Sequence, residues 1–405
     1  YADSAVKYDR EGRFKAIGSV DYRDSLRTLT ADTLTYYEGE DRLVAQGDAA
    51  LRRRESGSVL SGPRIVFLRA ASGTDRRTVA TGRPHLSVRR APDADTAAPT
   101  EMDADRIDLV GRDEVRGWGD VVVERPDATA RADSAFFLLE EGEGRLFGSP
   151  RVEGRSFTLS GRTIRTGFSD GELRSVEARD SARATGEGFD LYADTIRASL
   201  AEREIRRLWA HGEAKSVALA PPYRLVADSL AFGFRAGRLD TLRAVAGAEA
   251  VQVGDSLAGD PRRPLPLRVG PRSWLAADTL VFAFADDSAA GPEEDGDAEA
   301  GAPVDTAVVV PDTADLAADP GDTAAGEGPG TGAEGSRIRR VRALGSARAY
   351  RVLEPREEGR TSRALHYQIG STIVIRFEEG EPVRVEGDRA IGMHLDPLAG
   401  DRAPA

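Results

Sequence analysis

The residues best suited to acid–base or metal chemistry near neutral pH are four histidines, His85, His211, His366 and His394. Each stands alone, with no His-x-Glu-x-His or His-Glu-x-x-His spacing beside it. Cysteine is absent, which excludes disulfides and thiolate metal sites without fixing a compartment. No Gly-x-Ser-x-Gly elbow, no phosphate loop ending in Lys and no dinucleotide fingerprint is present. His211 runs out of register with Leu208, Ala210 and Gly212, so a surface position is expected for it. A recurring carboxylate is the more inviting group: Asp32, Asp105, Asp133, Asp194, Asp228 and Asp278 repeat in one local setting. Repeated carboxylates can hold calcium, but calcium loops cluster several acids, and here there is usually one per repeat. An Asp at the start of a strand, accepting backbone N–H groups in an Asx-type turn, is the better reading. No enzyme activity, metal or cofactor is expected.

These carboxylates belong to a longer pattern. Ala-Asp-x-(Leu/Ile) stands at Ala31–Leu34, Ala104–Ile107, Ala193–Ile196, Ala227–Leu230 and Ala277–Leu280, with a near copy at Ala132–Ala135. Degenerate copies at Gly62–Ile65 and Gly161–Ile164 fill the gaps, giving steps of 28 to 50 residues. The two longest steps contain the Pro-rich stretches Ala91–Thr100 and Ala258–Pro271. A ladder of units of about thirty residues is the simplest account.

Each unit splits in two. After the Asp, apolar residues alternate: Leu34/Tyr36, Ile107/Leu109, Phe137/Leu139, Leu230/Phe232/Phe234 and Leu280/Phe282/Phe284, with Ile196 in the same register. Period two with one apolar face marks a half-buried strand. A polar, Gly-containing turn follows, and then a second half such as Leu43-Val44-Ala45-Gln46-Gly47-Asp48-Ala49. Gly recurring inside a strand predicts a bend or a close strand contact. No segment keeps helical spacing, so the fold expected is all-β, built of two-stranded units. One continuous apolar surface between two sheets should carry these residues.

The net charge of −12 is concentrated: 14 Asp/Glu and no Lys or Arg lie between Asp286 and Gly335, leaving the remainder at +2. That balance gives no reason to expect nucleic acid. Residues 286–336 have the composition of an acidic disordered insertion, and 396–405 that of a flexible tail. Ala277–Ala285 is a first half-unit without a second, and Val341–Ala347 a second half without a first. The insertion is therefore expected inside one hairpin, with residues 1–285 and 337–395 forming a single repeated body. A last unit carries Ile373, Ile375 and Phe377, then Val383 and Val385. The opening Tyr1-Ala2-Asp3-Ser4 lacks an initiator Met, as expected of a processed chain.

Ala-Asp-x-Leu-x-Tyr, a polar turn, and Leu-x-Ala-x-Gly-x-Ala, as at Ala31–Ala49, resembles the repeat of the OstA/LptA family of lipopolysaccharide-transport proteins. The resemblance spans residues 14–285 and 337–395. It implies an elongated, open, V-shaped β-jellyroll of two antiparallel sheets. The implied setting is the periplasm, with an association to the outer membrane. Acyl chains of lipopolysaccharide would lie in an apolar groove made by Leu34, Tyr36, Ile107, Leu109, Phe137, Leu139, Ile196, Leu230, Phe232, Phe234, Leu280, Phe282, Phe284, Ile373 and Ile375. Other jellyroll transport proteins, or further copies of the chain, would join edge to edge by strand addition. Two readings compete: a structural or adhesive β-solenoid with a closed core, and a polysaccharide-active parallel β-helix with convergent carboxylates.

Overall fold

A computed structural model describes residues 1–68, 77–89, 99–169, 171–186, 189–220, 223–253, 267, 272–285, 337–353, 364–378 and 381–395. Twenty-five strands run through it. The first five are β1 (Ser4–Tyr8), β2 (Arg13–Arg23), β3 (Arg27–Tyr37), β4 (Arg42–Arg53) and β5 (Val59–Leu68). Shorter ones follow: β6 (Arg77–Thr81), β7 (His85–Val88), β8 (Thr100–Asp103) and β9 (Arg106–Val110). Next come β10 (Glu114–Glu124), β11 (Ala128–Leu138), β12 (Glu143–Phe147), β13 (Arg151–Gly154), β14 (Phe157–Ser160) and β15 (Thr163–Ser169). Long strands resume with β16 (Glu172–Gly186), β17 (Phe189–Ala201), β18 (Glu204–Ala220), β19 (Tyr223–Arg235), β20 (Arg238–Gln252) and β21 (Trp274–Ala285). The last are β22 (Arg337–Leu353), β23 (Ala364–Glu378), β24 (Glu381–Asp388) and β25 (Ile391–Leu395). The described residues contain no α-helix, only single 3₁₀ turns at Asp9–Glu11 and Glu38–Glu40.

The described strands pair antiparallel, mostly each with the next, and together form one hydrogen-bonded sheet. β21 pairs directly with β22, from Trp274 opposite Tyr350 to Ala285 opposite Arg337. The two ends of the insertion 286–336 thus enter and leave one hairpin. The insertion itself, like the tail 396–405 and most of Ala91–Thr100 and Ala258–Pro271, lies outside the described residues.

Nearly every long strand is divided at its middle by a β-bulge. In β2 and β4 the bulges are Gly18-Ser19 and Gly47-Asp48, each residue at positive φ, opposite Asp32 of β3. Two residues facing one bend the strand and increase its twist. Gly is required at position 47 because φ is +76° and a Cβ there would collide with the Asp32 carboxylate. The same Asp-over-Gly contact recurs as Asp3–Gly18, Asp105–Gly119, Asp133–Gly148 and Asp278–Gly345. This corrects the expectation that the repeated Asp opens a strand. Asp32, Asp133, Asp194, Asp228 and Asp278 sit inside a strand that continues on both sides, whereas Asp105 lies in the break between β8 and β9 and does precede a strand.

Where proline joins the bulge, the strand breaks. β6 and β7 lie end to end along one edge of β5, with Arg64 opposite Thr81 and Ser61 opposite His85. Gly82-Arg83-Pro84 separates them, and proline cannot donate to a ladder. Gly148-Ser149-Pro150 divides β12 from β13 in the same way. As a result six strands close a pairing circuit like that of a small barrel, β5–β6–β9–β10–β8–β7–β5. A second circuit runs β11–β12–β15–β16–β14–β13–β11.

The row of bulges forms a seam between two sets of half-strands. Layer one holds, for example, Thr33–Tyr37 of β3 and Ser229–Arg235 of β19; layer two holds Arg27–Ala31 and Tyr223–Ala227. Inward residues of both layers share one hydrophobic core, including Leu34 and Leu230 from layer one and Leu29 and Leu225 from layer two.

Candidate functional site

The core is organised in rows that cross the strands. In layer one, the inward residues next to the seam pair in register from Ala16 and Leu34 at one end to Ile373 and Gly387 at the other. Across the middle of that row stand Ala178, Ile196, Ala210, Leu230, Ala244 and Leu280, small and large in alternation. In these units Leu or Ile comes from the Ala-Asp-x-(Leu/Ile) half and Ala from the other half, whereas Ala135 and Leu146 exchange the two sizes and Gly117 faces Ile107. Small facing large lets the opposite layer settle without voids. Of the residues proposed from sequence, Leu34, Ile107, Ile196, Leu230, Leu280 and Ile373 belong to this row, at 0 to 8 % exposure.

A second row lies one step toward the rim. It contains Tyr36, Leu109, Phe137, Phe232, Phe282 and Ile375, and it is equally continuous, as in Leu208↔Phe232↔Leu242↔Phe282↔Val341↔Ile375. Leu139, Phe234 and Phe284 lie beyond it at the rim, half-buried against the core. The structure therefore gathers the fifteen candidates on one inner surface. Tyr36 is the outlier: it is partly exposed near the first strands, and its hydroxyl donates to Asp41 Oδ1 at 3.1 Å. The row next to the seam spans the pairing from β2 to β24, eighteen strand-to-strand steps, or roughly 85 Å at about 4.8 Å per step.

The expected open mouth is not seen where the two rims meet. Arg27 of layer two places its guanidinium carbon 3.5 Å from the Phe67 ring centre in layer one. Arg53 Nη1 donates to Arg112 O at 2.7 Å and Nη2 to Gly111 O at 3.3 Å, across the rim. Burial, and then the Arg27 charge, lower the Arg53 pKa. Arg125 Nε donates to Asp127 Oδ1 at 2.9 Å, Nη1 to Thr100 Oγ1 at 2.8 Å, and Nη2 to Gly171 O of the opposite layer. Leu173 N donates to Asp127 Oδ2 at 3.1 Å. Burial works against the Asp127 charge, but Arg125 and the Leu173 N–H outweigh it and hold the carboxyl below its usual value. Farther along, the Phe189 ring of layer two lies 5.5 Å from Phe232 and 5.9 Å from Phe234. A cavity of about 10 Å³, lined in part by Leu51, Leu60, Leu86, Leu109 and Val115, leaves room for about one water. The physical reason for closure is the small residues, Ala or Gly, set among the large ones along the seam row, which let the layers approach.

Sequence reasoning missed the alanines and the rim arginines. Ala45, Ala210 and Ala343 stood inside recognised motifs, two residues before the recurring Gly, and that offset is the signal. Arg27, Arg53 and Arg125 had none, because 53 of the 56 basic residues are Arg. His211 lies on the outer face, its ring 4.1 Å from that of Trp209. Among the described residues no group of three His, Asp or Glu could hold a metal ion.

No family model matches the chain, and no curated protein matches it. Among solved structures it is similar to LptH, the LptA-homologous periplasmic component of the lipopolysaccharide transport device from Pseudomonas aeruginosa. The identity is 14 %, the match covers 45 % of this chain and 80 % of that one, and the TM-score is 0.17.

Proposed function

We propose that this chain is a non-catalytic carrier whose two layers, hinged at the bulge seam, part at the rim to shelter acyl chains in an open β-jellyroll. The observation that carries the reading is the pair of inner rows running the length of the strand stack, apolar but for glycines and for Thr78 and Thr166 in the second row. A ligand bound by hydrocarbon burial needs an extended apolar surface and no reacting group, at about 0.8 kcal/mol per buried CH₂. The repeat's resemblance to the OstA/LptA family makes lipopolysaccharide the expected lipid and the periplasm the expected compartment. The stack also ends in strands paired on one side among the described residues, β1 at one end and β24 and β25 at the other. Exposed Val6, Ile391 and Met393 lie on those edges, where a strand of another carrier or of a second copy would add.

A second reading, a closed structural β-solenoid, is favoured by one observation: the inner rows are buried and the rims touch. Photo-crosslinking separates the two. A benzophenone side chain at Phe234 or Phe284, both half-buried at the rim, should capture lipopolysaccharide in the native envelope, and one at the outward Trp209 should not. Equal capture from both faces, or none from inside, refutes the carrier. Phe232→Asp or Phe282→Asp is a poor probe, because those rings are 1 % and 3 % exposed and a carboxylate there would destabilise the core itself.

A further inference from the structure

At the rim of layer two, Arg27 and Arg53 stand directly opposite each other on β3 and β4. Both belong to the inner face, because Arg27 is two residues from Leu29 and Arg53 two from Leu51, and both leucines are in the core. Like charges in that position repel. Arg27 is compensated: its Nε donates to Asp24 Oδ2 at 2.9 Å, and its guanidinium lies on the Phe67 ring. Arg53 has no carboxylate within hydrogen-bonding reach among the described residues. Its acceptors are two neutral carbonyls, Arg112 O and Gly111 O, in the turn that joins β9 to β10 of layer one. Burial and the Arg27 charge work against its cation, and the exposed Glu55 offsets them only in part. Two of the five guanidinium N–H groups are engaged, and a charged oxygen is a stronger acceptor for them than a carbonyl.

Arg53 also lines the cavity between the layers, together with Leu51, Leu86 and Val88 of layer two and Leu109 and Leu139 of layer one. At about 10 Å³ that cavity is too small for a hydrocarbon chain until the layers part. The bonds from Arg53 to the β9–β10 turn are what tie the layers at this point. An anionic head would offer Arg53 a charged acceptor in place of the two carbonyls, so the contact that binds the head also frees the turn. The chain behind the head would then meet leucine and valine on both sides. We propose that Arg53 and this crevice bind an amphiphile with a phosphate-type head, the head on Arg53 and the chain between the layers, and that the head unfastens the rim as it binds. Entry of the chain rests on the carrier reading; the anion contact at Arg53 does not.

The test uses the full chain and three probes, octyl phosphate, octanol and inorganic phosphate, with calorimetry for affinity and methyl NMR for place. The methyl signals of Val88 and Leu139 can be assigned with Val88→Ile and Leu139→Met. Octyl phosphate should move both signals and bind about tenfold more tightly than octanol. In Arg53→Gln its affinity should fall by about tenfold, to that of octanol, whose own binding should not weaken. Arg53→Lys keeps the charge without the planar fork and should retain part of the preference. An undiminished preference in Arg53→Gln, or a methyl response to octyl phosphate that leaves Val88 and Leu139 unmoved, overturns the site. Equal affinities for octyl phosphate and octanol in the unaltered chain, with both signals moving, would overturn the role of Arg53 and keep the carrier. Inorganic phosphate moving the two signals as far as octyl phosphate does would overturn the amphiphile and leave a site for free anions. Binding of neither amphiphile would overturn the site and the carrier together.

Discussion

The substitution Asp127→Asn tests what holds the rims together. Asp127 and Arg125 are 4 % and 14 % exposed at their side chains, and Asp127 accepts both Arg125 Nε and the Leu173 N–H. An amide of the same size can offer an oxygen to only one of those donors and turns an N–H toward the other. Leaving a buried donor unpaired costs about 1–3 kcal/mol. Removing one partner of a fully buried ion pair costs about 3–5 kcal/mol. Arg125 keeps Thr100 and Gly171 O as acceptors, so the low end of the ion-pair range, roughly 3 kcal/mol, covers the whole substitution. In urea, with a slope near 3 kcal/mol per molar for a chain of this size, the midpoint should fall by about 1 M. Exchange of the Leu173 amide should speed by about a hundredfold, reporting the opening at the rim itself. The pH dependence follows from the direction of the shift. The folded carboxyl titrates below its unfolded value near 3.8, so its stabilisation is complete above that value and is lost as pH falls through the folded pKa. The Asp127→Asn variant would lack that acid-labile component. Replacing both partners, Arg125→Met with Asp127→Leu, should recover most of the loss, since apolar replacements leave no orphaned charge. A midpoint change worth less than about 0.5 kcal/mol for Asp127→Asn would show that the pair is solvated and does not fasten the layers.

Replacing residues 286–336 with a four-residue Gly-containing turn shortens a 51-residue connection between β21 and β22. The loop-closure term then falls by about 2 kcal/mol, worth about 3 °C in calorimetry; loss of the Phe282–Val341 pairing by NMR would show that the insertion is needed for the hairpin. Gly47→Ala should cost about 2 kcal/mol through its positive φ and its collision with Asp32, and adding Asp32→Ala should relieve only the collision. Urea unfolding of the single and double variants separates the two contributions, and equal losses in both would remove the carboxylate from the account.

Much of this protein follows from period two alone. Leu34, Phe232 and Phe282 could be assigned to one inner surface because alternate residues of a strand face the same side whatever the tertiary setting. The β21–β22 hairpin could be joined across the acidic insertion because each flank carried half of a repeated unit. What period two cannot show is where a strand bends. A bulge adds one residue without ending the pairing, so Asp32 sat at the centre of β3 although the pattern made it look like a beginning. Nor can it show how near the opposite layer lies. An inward Leu satisfies a groove and a core equally; the separation is set by the alanines alternating with it across strands that are distant in sequence. The rim contacts lie further still from local reach. Arg53 meets Gly111 and Arg125 meets Gly171 only after the seam has folded one layer onto the other. Their acceptors are backbone carbonyls, which every residue carries and no side-chain pattern announces.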